Sequence, residues 1–132
     1  GGKFSLTQAG THVPLIVSGG GVVPGQCDAL VDLSDLAPTL VELAGGTAPS
    51  GIDGQSFAPR LYGKRAGLRD WVYSQIGEDR WVFDRRFKMY GDGRLFDIQS
   101  DSEELSPIGR EEETRASAAS RRTLQAALDG LI

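Results

Sequence analysis

The sequence predicts an α/β-to-α+β architecture. It reads as the last strand and helix of an α/β layer, followed by a four-stranded antiparallel sheet packed with a C-terminal helix. Three observations carry that expectation. A short apolar run, VPLIV at 13–17, leads into a glycine-rich loop and then a stretch with helical spacing. Four aromatic and β-branched runs between positions 71 and 98 are joined by connections so short that their neighbours must be antiparallel. A final segment, from Glu111 onward, repeats apolar residues on one helical face.

Val13 to Val17 is continuous and β-branched, and glycines at 10 and 19 bound it. Its lack of alternation predicts a strand buried on both faces, with Pro14 tolerable near its start. The loop SGGGVVPGQ follows. Leu33, Leu36, Ala37, Leu40, Val41 and Ala44 then recur at helical spacing, with Ser34 or Asp35 as N-cap, Pro38 in the first turn and Gly45 as the stop. The stretch GGTAPSGIDGQS at 45–56 marks a boundary, so we expect one domain piece over 1–48 and an α+β subdomain over 49–132. Strands are expected at Trp71 to Ile76, Arg80 to Asp84, Phe87 to Tyr90 and Arg94 to Ile98, forming a β-meander. Residues 99–110 read as a polar loop. Glu111, Glu112 and Glu113 open a helix where its dipole favours acid. Its apolar face is expected at Ala116, Ser120, Thr123, Leu124, Ala127, Leu128 and Leu131, covering the one face the meander must bury.

Composition narrows the function. The 132 residues are 39% hydrophobic and 24% charged, as in ordinary globular chains. A net charge of -4 carries no basic footprint and argues against nucleic acid as a partner. No apolar run approaches the roughly 18 residues of a membrane span. The single cysteine, Cys27, excludes an intrachain disulfide.

Complete catalytic motifs are missing. There is no C-x-x-C, H-E-x-x-H, P-loop or G-x-S-x-G, and one histidine cannot build a His-based metal site. Asp101, Glu103 and Glu104 could in principle hold a cation but read better as a solvated loop. Cys27 reads better as a tolerated thiol than as a nucleophile. Gly91-Asp92-Gly93 reads as a hairpin turn, because a strand follows it. Trp71, Tyr73, Trp81 and Phe83 could stack on a sugar but fit cross-strand packing better. Two candidate ligand-binding residues remain. Lys3, a compact charge suited to a sulfate or phosphate oxygen, stands in a loop that feeds VPLIV. His12 stands beside it. By itself, either reads more readily as a structural or solvated residue.

The order of landmarks resembles the C-terminal part of a sulfatase, arylsulfatase-like and within the alkaline phosphatase superfamily. GGKFSLTQAGTHVPLIV resembles the family stretch G-K-G-T-x-Y-E-G-G-x-R-V-P, and GVVPGQ a loop ending in V-V-P-A-G. DALVDLSDLAPTLVELAG follows the family pattern almost letter for letter. DGQSF resembles its D-G-x-S-F opening, and LFDIQSDSEEL its L-F-D-L-x-x-D-P-x-E. The resemblance implies that Lys3 contacts the sulfate group and that His12 stands where substrate is met. Phe4, Gln8 and Ala9 depart from the pattern in the loop after Lys3.

The resemblance also implies a parent enzyme that hydrolyses sulfate esters with a calcium ion and a formylglycine, and a periplasmic or secreted location. Cys27 is followed by DAL, so it is not the cysteine of a C/S-x-P-x-R motif. No catalytic residue or metal ligand is assigned in this chain, which is expected to be inactive alone. The sequence opens without methionine, so we expect GGK to be a cut point within a longer enzyme. Two alternatives stay open. One is a phosphonate or phosphate ester hydrolase of the same superfamily; the other is a non-catalytic interaction module derived from a sulfatase tail. An orphaned VPLIV strand would favour self-association through residues 13–17.

Overall fold

A computed structural model describes residues 2–64 and 69–131. They gather into two compact units, one formed by residues up to 14 together with 71 onward, the other by residues 15–70.

The first unit is built on the expected meander. Strands β1 (Val72–Ile76), β2 (Asp79–Phe83), β3 (Phe87–Tyr90) and β4 (Leu95–Asp97) lie side by side in that order, all antiparallel. The turns follow from local chemistry. Gly77 takes φ +61, the left-handed region that glycine enters freely. Between β2 and β3 the Asp84 carboxylate accepts from the amides of Arg86 (3.1 Å) and Phe87 (2.8 Å).

All four residues of β3 are buried, so both faces of the sheet are covered, not one as the sequence suggested. Period-two alternation divides them. Phe87 and Met89 join Val82 and Leu95 against Leu124, Ala127 and Leu128 of helix α4 (Arg115–Gly130). Lys88 and Tyr90 face the other way, with Trp81 and Phe96, and Leu6 from the opening segment packs on that side. Burying a side chain such as Leu124 contributes about 1.5–3 kcal/mol.

Helix α4 begins later than the glutamate run implies. Glu111 and Glu112 lie in a 3-10 turn (Arg110–Glu112), and Thr114 is the N-cap. The Thr114 hydroxyl accepts from the Ser117 amide at 3.2 Å, and the Ser117 hydroxyl accepts from the Thr114 amide at 2.9 Å. That reciprocal pair satisfies two donors directly, a stronger local signal than acid near the dipole. The inner face is Ser117, Arg121, Leu124, Ala127 and Leu128, whereas Ala116, Thr123 and Leu131 are exposed. The first half is rotated because Arg121 points inward. Its guanidinium donates to the Gly93 and Ile108 carbonyls and pairs with Glu113.

The second unit holds a 3-10 turn (Leu33–Asp35), α2 (Leu36–Leu43) and α3 (Ala58–Leu61). Asp35, one of the two expected residues, is the N-cap of α2, without a side-chain cap bond, and the 3-10 turn before it is capped by Asp32. The Asp32 carboxylate accepts from the Ser34 amide at 2.9 Å, while Asp35 accepts from the Asp32 amide at 2.8 Å. Asp35 is the centre of this unit. It is buried, pairs with Arg69, and also takes the Gln55 amide at 2.7 Å. Burial alone would raise its carboxyl pKa, but Arg69 and the amides of Gln55 and Asp32 outweigh it and hold the pKa below the usual carboxylate value.

Val13 to Val17 is not a strand here. A strand needs a neighbour's amides and carbonyls, and β1–β4 pair among themselves, leaving no strand beside it among the described residues. Val13, Leu15 and Ile16 are exposed instead. No helix among the described residues is long and apolar enough to cross a membrane.

Candidate functional site

Lys3 and His12 stand on one small loop of the first unit. The chain turns back after Gly2, with the Ser5 amide donating to the Gly2 carbonyl at 2.9 Å. A single helical turn, α1 (Gln8–Thr11), follows, and the His12 amide closes it on the Gln8 carbonyl at 2.9 Å. Gly2 and Gly10 bring the two limbs together. A Cβ on Gly2 would lie 2.1 Å from the Ala9 carbonyl oxygen, and one on Gly10 would lie 2.1 Å from that of Ser5 and 2.4 Å from that of Gly2. Glycine is therefore required at both positions for backbone to meet backbone. Lys3 and His12 flank this contact, and both are exposed. The Lys3 ammonium lies 5.3 Å from the centre of the Phe4 ring, and Phe4 itself takes φ 62.

Beneath the loop lies a charged cluster that the sequence did not reveal. Lys88 and Glu104 form an ion pair of 2.9 Å, with side-chain exposures of 0% and 2%. Glu104 was expected in a solvated loop and is instead buried against β3. Lys88 Nζ also donates to the Leu6 carbonyl, and Glu104 Oε1 accepts the Gln8 amide at 2.7 Å. The Tyr90 hydroxyl donates to Glu104 Oε2. Burial lowers the Lys88 pKa, against the opposing pull of Glu104. Burial raises that of Tyr90, and the Glu104 carboxylate adds to it. The sequence carried no clear signal of this cluster: alternation in FKMY puts Lys88 on the face opposite Phe87 and Met89, where a lysine is ordinarily solvated.

The other candidates disperse. Asp101 accepts the backbone amides of Leu105 (3.0 Å) and Ser106 (2.9 Å). Among the described residues no three His, Cys, Asp or Glu side chains gather to hold a metal ion. The described residues therefore offer calcium no set of ligands. Cys27 is exposed. Trp81 and Phe83 lie with the Phe96 side of the sheet and Trp71 and Tyr73 with the α4 side, so the four aromatics do not make one stacking surface. Gly91 to Gly93 form the β3–β4 hairpin.

This fold has counterparts in known proteins. No family model matches the chain. An ulvan-active sulfatase of Formosa agariphila is 34% identical over 99 residues, 66% of this chain and 20% of the relative. Arylsulfatase K of Xenopus laevis is 30% identical over 128 residues, covering 80% of this chain and 24% of the relative. The solved structure of a 2-O GAG sulfatase superposes with a TM-score of 0.58 at 30% identity, covering 71% of this chain and 23% of that one. The chain belongs with the sulfatases, and its match is to their C-terminal part. Another solved relative, in complex with its substrate D-glucosamine-2-N,6-O-disulfate, has a TM-score of 0.60 at 25% identity and covers 74% of this chain and 23% of that one. This sulfatase segment thus spans about a quarter or less of the length of the relatives it matches.

Proposed function

We propose that this chain is the substrate-side, C-terminal part of an enzyme that hydrolyses sulfate esters. In this reading residues 1–48 end its catalytic domain and residues 49–132 form its α+β subdomain. The similarity to sulfatases supports the reaction class. The observation that carries the role of this segment is the Gly2–Gly10 contact, which presents Lys3 on a closed, exposed loop. An ammonium there meets the negative charge that grows on sulfate oxygens as the ester bond breaks, and such stabilisation acts most strongly in the transition state. His12, at the other limb, is a substrate-side contact. The relative solved with a disulfated glucosamine favours a sulfated sugar as substrate.

Chemistry carried by calcium and a formylglycine, as the resemblance implies, belongs to residues outside this chain. The 132 residues alone should therefore not turn over p-nitrophenyl sulfate. In the longer enzyme, Lys3→Ala should lower turnover of p-nitrophenyl sulfate by about 100-fold. An unchanged rate would remove Lys3 from the site. Faster turnover of p-nitrophenyl phosphate or a phenylphosphonate ester than of the sulfate would replace the sulfatase reading with its phosphoryl counterpart.

A further inference from the structure

The Lys88–Glu104 pair has a use that the reaction above leaves unassigned. A buried ion pair keeps its charges when the remaining donors and acceptors are also satisfied. Here that remaining capacity goes to one place. Lys88 Nζ, between the rings of Trp81 (4.5 Å) and Tyr90 (5.2 Å), donates to the Leu6 carbonyl. The Tyr90 hydroxyl lies 3.3 Å from the same carbonyl and also donates to Glu104. Glu104 Oε1 takes the Gln8 amide. Every one of these bonds to the loop ends on backbone at residue 6 or 8, midway between Lys3 and His12. The loop is also closed on itself by the Ser5–Gly2 hydrogen bond and the Gly2–Gly10 approach. Holding residues 6 and 8 therefore holds the backbone of Lys3.

We infer that Lys88, Glu104 and Tyr90 are positioning residues that fix the Lys3 loop against the sheet and so aim Lys3 at the sulfate ester. The structural half stands on these contacts; the functional half rests on the sulfatase reading above.

Two measurements test the halves separately. In the 132-residue chain, Glu104→Gln keeps the shape and removes the charge. Amide hydrogen exchange at Gln8 should accelerate about 10-fold, the effect of turning a charge-assisted hydrogen bond into a neutral one, while the β2–β3 ladder keeps its protection. If that variant fails to fold, Tyr90→Phe removes a hydroxyl alone, and exchange at Gln8 should still accelerate, by a smaller factor. Unchanged exchange at Gln8 in a folded variant overturns the inference. In the longer enzyme, Glu104→Gln should lower kcat more than it changes KM, and its effect should largely vanish in a Lys3→Ala background. A loss that is equally large in that background means Glu104 does not act through Lys3, and overturns the positioning role. If instead Lys3→Ala leaves turnover unchanged, it is the assignment of Lys3 that fails, and the functional half falls with it.

Discussion

At the scale of single residues, Lys88 and Glu104 form a buried ion pair in the first unit. Removing one member of a buried pair leaves a charge without its partner, at a cost of about 3–5 kcal/mol. Glu104→Ala should destabilise the chain by that amount in urea titration, and Lys88→Met combined with Glu104→Leu should recover most of it. A single-variant loss below about 1 kcal/mol would mean that water reaches the pair. Tyr90 offers an optical check. Burial and the Glu104 carboxylate raise its phenol pKa above the ordinary value of about 10. A raised folded pKa contributes stability that is fully present below the unfolded value and is lost as pH rises through the folded one. Absorbance at 295 nm should therefore show one tyrosine, absent in Tyr90→Phe, that ionises later than the rest. Lys88 was legible only in part. Alternation puts it opposite Phe87 and Met89, but the layer it meets comes from residue 6, which no local pattern connects to it.

At the scale of elements, the meander was legible because two-period runs and tight turns are local facts, and β1–β4 lie within two residues of the expected bounds. Helix starts were less legible. Three consecutive glutamates advertise a dipole interaction, yet Thr114 and Ser117 satisfy real donors, and the helix begins there. Thr114→Ala should cost about 1 kcal/mol. Leu124→Ala, a cavity between α4 and the sheet, should cost about 2–5 kcal/mol in the same denaturation assay. VPLIV forms no strand here because the partner strand its composition calls for is not among the described residues. The closure of the loop that carries Lys3 and His12 was not legible, since Gly2 and Gly10 meet through backbone.

At the scale of the whole chain, the two units are held by different chemistry. Asp35 anchors residues 15–70, and its depressed pKa has a definite sign. The stability it contributes is present above the ordinary carboxylate value of about 3.9 and disappears as pH falls through the folded value. NMR resonances of Thr39 and Phe57, which share a 3.0 Å hydrogen bond, should lose dispersion only below that ordinary value. Arg69→Ala should move the loss to higher pH, because the guanidinium is what keeps Asp35 ionised. Residues 13–17 present the opposite problem, with Ile16 at 88% and Val13 at 65% exposure. We expect the isolated chain to associate through them, and Ile16→Lys to reduce the mass measured by light scattering. A monomeric wild-type chain would remove that expectation.

The unit built from residues up to 14 and from 71 onward is discontinuous in sequence. The hydrogen bond from Lys88 to Leu6 joins positions 82 apart, so the loop cannot take its shape until β3 exists. During synthesis it must wait several seconds for that strand, at roughly 5–20 residues per second. Once formed, the arrangement has the opposite character. A protease that cuts within residues 15–70 severs the covalent thread but none of the bonds at Leu6, Gln8, Lys88, Tyr90 and Glu104. The nicked molecule should then travel as a single species on a sizing column and part into two peptides only in denaturant.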